Sequence, residues 1–126
     1  MAAKILLVED NENNRNLLKD ILEYYGYEVA MAADGLQGVA LARELLPDLI
    51  LMDIQMPGLD GISACNILKG ESATGNLKIV ALTSFAMQGD QEKFLAAGFD
   101  AYLSKPINTR ELPVLLKKWL ATGEPS

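Results

Sequence analysis

Leu49, Ile50, Leu51 and Met52 follow one another without a polar residue, and the run ends on Asp53, just ahead of the turn-forming Met56, Pro57 and Gly58. An apolar run without alternation is the pattern of a strand covered on both faces, which places it inside a parallel sheet. Parallel strands need crossover connections, and the rest of the chain supplies them. Five strand-like runs, KILLVE (4–9), YEVAMA (27–32), DLILMD (48–53), KIVALTS (78–84) and AYLSK (101–105), alternate with helical patterns. That alternation predicts an α/β domain of (βα)5 type, a parallel sheet with right-handed crossovers and helices on both faces.

The helical segments carry their own boundaries. Leu17, Leu18, Ile21, Leu22 and Tyr25 keep an apolar face at helical spacing, and Gly26 supplies a C-terminal stop. Asp34 with Gln37 three residues later resembles a capping box for a helix that ends before Pro47. Asp60 is placed to cap a third helix through Leu68, and a fourth is expected from Met87 to Ala97, stopped by Gly98. Leu112, Leu115, Leu116, Trp119 and Leu120 mark the last helix. Pro113 predicts an irregular start there, because deeper in a helix it would delete an internal hydrogen bond. Cys65, on the inner face of the third helix with Ile62 and Leu68, reads as core, and Trp119 as a core or edge anchor; Met31, Met52, Met56 and Met87 read as packing or loop residues. One domain over 1–121 is expected, with 122–126 as a short tail.

Composition narrows the chemistry. With 126 residues, 50% hydrophobic and 22% charged, the chain is large enough to bury a core without staples. The single cysteine excludes an internal disulfide and, with no signal-peptide pattern, fits a reducing cytoplasm; no apolar stretch is long enough to span a membrane. A net charge of −6, with no basic cluster beyond Lys117–Lys118, argues against direct nucleic-acid binding. There is no histidine, which removes the commonest zinc ligand and the commonest general base. Chemistry on this chain is left to carboxylates, hydroxyls and lysine, with a hard metal as the remaining option.

In a doubly wound sheet of order 2-1-3-4-5, sites gather at the carboxyl ends of the strands beside the reversal in strand order. Strand one ends with Glu9 and Asp10, strand three with Asp53, strand four with Thr83 and Ser84, and strand five with Lys105 and Pro106. Each alone has a plain structural reading: acids at a helix start, an aspartate before a turn, hydroxyls as caps, a surface lysine. Their convergence on one mouth changes the reading. Three neighbouring carboxylates repel and raise one another's pKa unless a cation neutralises them, and Mg²⁺ suits a few carboxylates plus phosphate oxygens. Thr83 and Lys105 are donors of the kind that grip phosphoryl oxygens. The set predicts phosphoryl transfer to the Asp53 carboxylate.

LLVEDN, LILMDIQMPGLDG, IVALTS and AYLSKPI, in this order and at these spacings, resemble the receiver domain of two-component response regulators over essentially the whole chain. NENNR after the acid pair and FAMQGD after the threonine look most like receivers of hybrid histidine kinases and small stand-alone receivers of phosphorelays. The resemblance implies a flavodoxin-like fold and Asp53 as phosphoacceptor. It implies a Mg²⁺ (or Mn²⁺) ion held directly by Asp10 and Asp53, through a water by Glu9, and by the main-chain carbonyl of Gln55. It implies Thr83 as switch hydroxyl, Tyr102 as switch aromatic, Lys105 as the site lysine, and a cis peptide at Pro106. Glu9 stands where aspartate is commoner, and Ser84 where alanine is. The implied donor is a histidine kinase or a histidine phosphotransfer protein, docking near the first helix. The implied target is a protein that reads the surface of helix four, strand five and helix five.

The chain begins at strand one and stops after helix five, so no output domain is expected, nor turnover of a separate substrate. Other readings stay open. A degenerate receiver would bind partners without being phosphorylated. An aspartyl phosphatase of the haloacid dehalogenase type would want a second acid where Gln55 stands. An FMN carrier would want a hydroxyl-rich phosphate loop where Glu9 and Asp10 would repel a bare phosphate. Gln55 and Phe85 are expected to flank the approach of water to an acyl phosphate on Asp53, with the Phe85 ring as a shield that prolongs its life.

Overall fold

Strands β3 (Leu49–Asp53) and β4 (Ile79–Thr83) are buried at all five positions, which is why neither shows polar alternation. The computed structural model describes residues 3–56, 58–84, 90–105 and 107–122. The remaining elements in chain order are β1 (Lys4–Val8), α1 (Glu12–Tyr24), β2 (Glu28–Ala32), α2 (Gly35–Leu45), α3 (Gly61–Lys69), α4 (Asp90–Ala96), β5 (Ala101–Ser104) and α5 (Leu112–Thr122). All strand pairings are parallel, and the order is β2-β1-β3-β4-β5, the doubly wound flavodoxin-like arrangement. Strand boundaries fall within one residue of the sequence expectation.

Side-chain alternation splits the interior into two cores. Ile5, Leu7, Leu49, Leu51, Val80 and Leu82 pack with Leu18 and Leu22 of α1 and with Leu112, Leu116 and Trp119 of α5. Leu6, Val8, Ile50, Met52, Ile79 and Ala81 pack on the opposite face with residues of α2, α3 and α4. Cys65 belongs to this second core, and burial pushes its thiol up to about 12, so it is a packing residue.

The helix starts follow capping chemistry. Asn11, Asp34 and Asp60 each accept a hydrogen bond from the backbone N–H three residues on, opening α1, α2 and α3. The expected capping box at α2 closes differently: Gln37 Oε1 accepts from the N–H of Ala33, one residue before the cap, at 2.8 Å. Leu46 ends α2 in the left-handed region (φ 45°), just before Pro47. Gly98 (φ 106°) stops α4 as expected. Asn108 Oδ1 accepts from the N–H of Arg110, making a turn ahead of α5, and Pro113 sits in the first helical turn, where its missing N–H costs nothing. This is the irregular start that Pro113 predicts.

One expectation is corrected. Leu17 and Tyr25 are 56% and 48% exposed, so the buried stripe of α1 is the i, i+4 pair Leu18 and Leu22, flanked by a half-buried Ile21. The expectations for Pro57, Phe85, Met87, Pro106 and the tail beyond Thr122 lie outside the described residues. No helix among the described residues is long and apolar enough to cross a membrane.

Candidate functional site

Strand parity decides which side chains meet at the carboxyl edge of the sheet. Residues 5 and 7, 49 and 51, and 101 and 103 face α1 and α5. Two residues further along the same chains come Glu9, Asp53 and Lys105, directed by the same alternation. Lys105 Nζ donates to Glu9 Oε1 and to Asp53 Oδ2, each at 3.0 Å. Glu9 is fully buried and Asp53 is 3% exposed, whereas Asp10 is open to solvent. One carboxylate oxygen from each of Glu9, Asp10 and Asp53 lies within 4.8 Å of the others. The turn after β3 aims a backbone amide back at the aspartate: the Gln55 N–H donates to Asp53 Oδ1 at 3.1 Å. The Gln55 side chain is exposed.

The electrostatics follow from this crowding. Burial, then the hydrogen bond and charge of Asp53, raise Glu9 from an ordinary 4.5 to about 7, against the pull of Lys105. Burial alone would lower the Lys105 pKa, but its bonds to Glu9 and Asp53 outweigh this and hold the ammonium above its usual value. Mutual repulsion of carboxylates is therefore present at Glu9, with burial as the larger cause.

A pH dependence results. The folded state favours protonated Glu9, so this group's contribution to stability is complete below pH 4.5 and is lost as the pH rises through about 7. In chelator, urea unfolding between pH 5 and pH 8 should reveal a loss of up to about 3 kcal/mol that Glu9→Gln removes. An equal loss in Glu9→Gln would assign the effect to other groups.

Thr83 and Tyr102 lie on the other face. Thr83 continues the 79, 81 parity toward α2–α4 and is 1% exposed. Tyr102 is paired in register with Ala81 and packs half-buried on the same core. Its ring lies 6.3 Å from that of Phe94 on α4.

Two features escape sequence reasoning. A groove of about 350 Å³ runs between α1 (Asn14, Leu17, Ile21) and the β5–α5 connection (Ile107, Thr109), and it opens onto Glu9 and Lys105. Its signal in the sequence is Leu17, an apolar residue on the helical face that turns out to stay exposed. The second feature is Arg15, whose Nη1 donates to the carbonyl oxygens of Glu9 at 2.8 Å and Asp10 at 3.4 Å. An arginine in the second turn of a helix reads as a surface charge until the path of the preceding loop is known.

A doubly wound domain with an aspartate, two further acids and a lysine at the strand ends defines a class of signalling domain, and the comparisons agree. Residues 5–117 match the response regulator receiver domain family, and the chain belongs to that family, which acts in two-component signalling. It is 41% identical over 120 residues to the polar-differentiation response regulator DivK of Brucella anthropi, covering 95% of this chain and 98% of that one. The receiver domain of a sensor histidine kinase from Pseudomonas aeruginosa PAO1 has a Mg²⁺ ion coordinated in its active-site cleft. It matches with a TM-score of 0.89 at 40% identity, over 97% of this chain and 100% of that one. The chemotaxis protein CheY4 of Vibrio cholerae matches with a TM-score of 0.88 at 30% identity, over 94% and 98%.

Proposed function

We propose that Asp53 accepts a phosphoryl group from a partner's phosphohistidine, in the presence of Mg²⁺, and that this switches a protein-binding surface. The observation that carries the reading is Lys105 bridging the buried carboxylates of Glu9 and Asp53 beside Asp10. Three carboxylates with oxygens this close suit a hard divalent cation. Asp10 and Asp53 would hold it directly, Glu9 through a water, and the Gln55 carbonyl would add a ligand. Once bound, Mg²⁺ (or Mn²⁺) would neutralise charge on the phosphoryl oxygens.

The chain's own groups do the rest. An Asp53 oxygen forms the O–P bond while the donor's N–P bond breaks, its electron pair returning to the imidazole. The Lys105 ammonium, already bonded to Asp53, is placed to meet the added phosphoryl charge. The donor is a partner because this chain has no histidine. A histidine kinase or histidine phosphotransfer protein fits the groove beside α1, which leads to Lys105. The reading makes residues 1–121 one cytoplasmic receiver unit that turns over no separate substrate and contacts neither nucleic acid nor membrane. Incubation with acetyl phosphate should add one base-labile, acid-stable phosphoryl group by intact mass, only with a divalent metal. No labelling with donor and metal present would leave the degenerate receiver.

The switch uses the face of Thr83 and Tyr102. A phosphoryl group draws in the Thr83 hydroxyl, emptying space for the Tyr102 ring and altering the surface of α4, β5 and α5. Its size is set by the difference in contacts between the two states. Thr83→Ala should leave phosphoryl uptake measurable but cancel the phosphorylation-dependent NMR shifts of Tyr102 and of α5 amides. Full shifts in Thr83→Ala would break this coupling path.

A further inference from the structure

Asp10 belongs to no strand and no helix. β1 ends at Val8, and α1 begins at Glu12 with Asn11 as its cap, so both N-terminal acids sit on a three-residue connector. Glu9 is fastened by burial and by its own N–H, which donates to the Ala32 carbonyl at 3.1 Å. Asp10 is exposed, and the backbone that carries it must aim its carboxylate.

Arg15 supplies that aim. From the second turn of α1, anchored by its N–H to the Asn11 carbonyl at 2.9 Å, it reaches back across the helix start. Its Nη1 bonds the Glu9 and Asp10 carbonyl oxygens. Those two carbonyls belong to the peptide planes on either side of the Asp10 Cα. A single guanidinium nitrogen therefore constrains both backbone torsions of Asp10. Among the ion pairs of the described residues, the cation that meets Glu9 and Asp53 is Lys105, and Arg15 is in none. Both of its side-chain hydrogen bonds go to main-chain carbonyls, which is the signature of a group that orients rather than neutralises.

We propose that Arg15 is a positioning residue for the divalent cation: it fixes the Glu9–Asp10 connector so that the Asp10 carboxylate is in reach of Glu9 and Asp53 before an ion arrives. The inference rests on the reading that these three carboxylates hold the metal. A connector already ordered spares the ion that entropic cost, and partners outside the ligand set commonly govern metal affinity in this way. The guanidinium charge, by contrast, opposes a divalent cation, so the sign of the effect distinguishes organisation from repulsion.

The test is Mg²⁺ titration by isothermal calorimetry of the full chain and of Arg15→Met, Arg15→Lys and Asp10→Asn, with melting in chelator as a control for folding. Methionine keeps the helix propensity and removes both bonds. Arg15→Met should bind Mg²⁺ about tenfold more weakly. Arg15→Lys should fall between, since an ammonium can donate to these carbonyls but lacks the planar, pre-organised geometry that holds Nη1 on both. In acetyl phosphate labelling, the Mg²⁺ concentration for half-maximal rate should rise in Arg15→Met while the rate at saturating Mg²⁺ is retained, a split that a general loss of structure would not give. Wild-type or tighter Mg²⁺ binding by Arg15→Met overturns the proposal. Asp10→Asn separates the two layers: if it retains wild-type affinity, the carboxylate reading itself fails. If Asp10→Asn loses affinity and Arg15→Met does not, only the role of Arg15 fails. Should Arg15→Met melt too low to titrate, Arg15→Gln replaces it, with the same weakening expected and wild-type affinity again overturning the proposal.

Discussion

Asp53→Asn should abolish phosphoryl uptake and leave the fold intact. Asparagine is nearly isosteric, and its side chain occupies a position that is 3% exposed, so no cavity opens and nothing overpacks. What disappears is the anionic oxygen that would form the bond to phosphorus. The amide has a single acceptor oxygen, which can keep the bond from the Gln55 N–H, while its NH2 group takes the place of the oxygen that now accepts from Lys105. The charge of Asp53 helps to raise Glu9, so its removal relieves repulsion, and the variant should melt slightly higher than wild type in chelator. Intact mass after incubation with acetyl phosphate and Mg²⁺ reads the first effect and a melting curve the second. Robust labelling of the variant at another residue would sink the assignment of the acceptor.

A comparably large effect, on stability this time, is expected at Gly61. Its amide donates to the Ile54 carbonyl at 3.1 Å, which presses the first residue of α3 onto the end of β3. A Cβ there would stand 2.3 Å from the Asp53 carbonyl oxygen and 2.8 Å from the Ile54 Cα. Both are backbone atoms and cannot rotate away. Gly61→Ala should therefore cost at least about 2–3 kcal/mol in urea unfolding and shift Asp53, slowing uptake as well. Gly58→Ala is the control: Gly58 has φ 76° with nothing within 4 Å of a Cβ, so its cost is the strain of a left-handed backbone, about 1–2 kcal/mol, with no effect at Asp53. Equal costs at the two positions would show that crowding at Gly61 is not the constraint.

The strand periodicity carries most of the fold, because a fully buried strand must be apolar at every position and an edge strand need not be. It also carries the candidate site, since Glu9, Asp53 and Lys105 are the polar residues that end such runs. Other details depend on where the chain goes after an element ends, which periodicity does not encode. Gln37 bonds Ala33 rather than its own cap because of the path of the β2–α2 loop. Leu17 has the spacing of a core residue, yet it rims a groove, because spacing records which side of a helix a residue is on and not how wide the buried stripe is. Arg15 is the extreme case, because its two acceptors are carbonyls, and every residue has one.

The two-sided alternation described above turns the sheet into a diaphragm. Glu9, Asp53 and Lys105 stand on the side of α1 and α5, and Thr83 and Tyr102 on the side of α2 to α4. On the proposed reading, the acceptor and the switch pair are thus kept in separate compartments, and the shortest passage between them is over the rim, where Asp53 pairs with Leu82, one residue short of Thr83. Such a layout lets one compartment vary in sequence while the other is held, but it tolerates no slip of register. A one-residue shift of β5 would carry Lys105 and Tyr102 to each other's side, uncoupling both functions with every side chain still present.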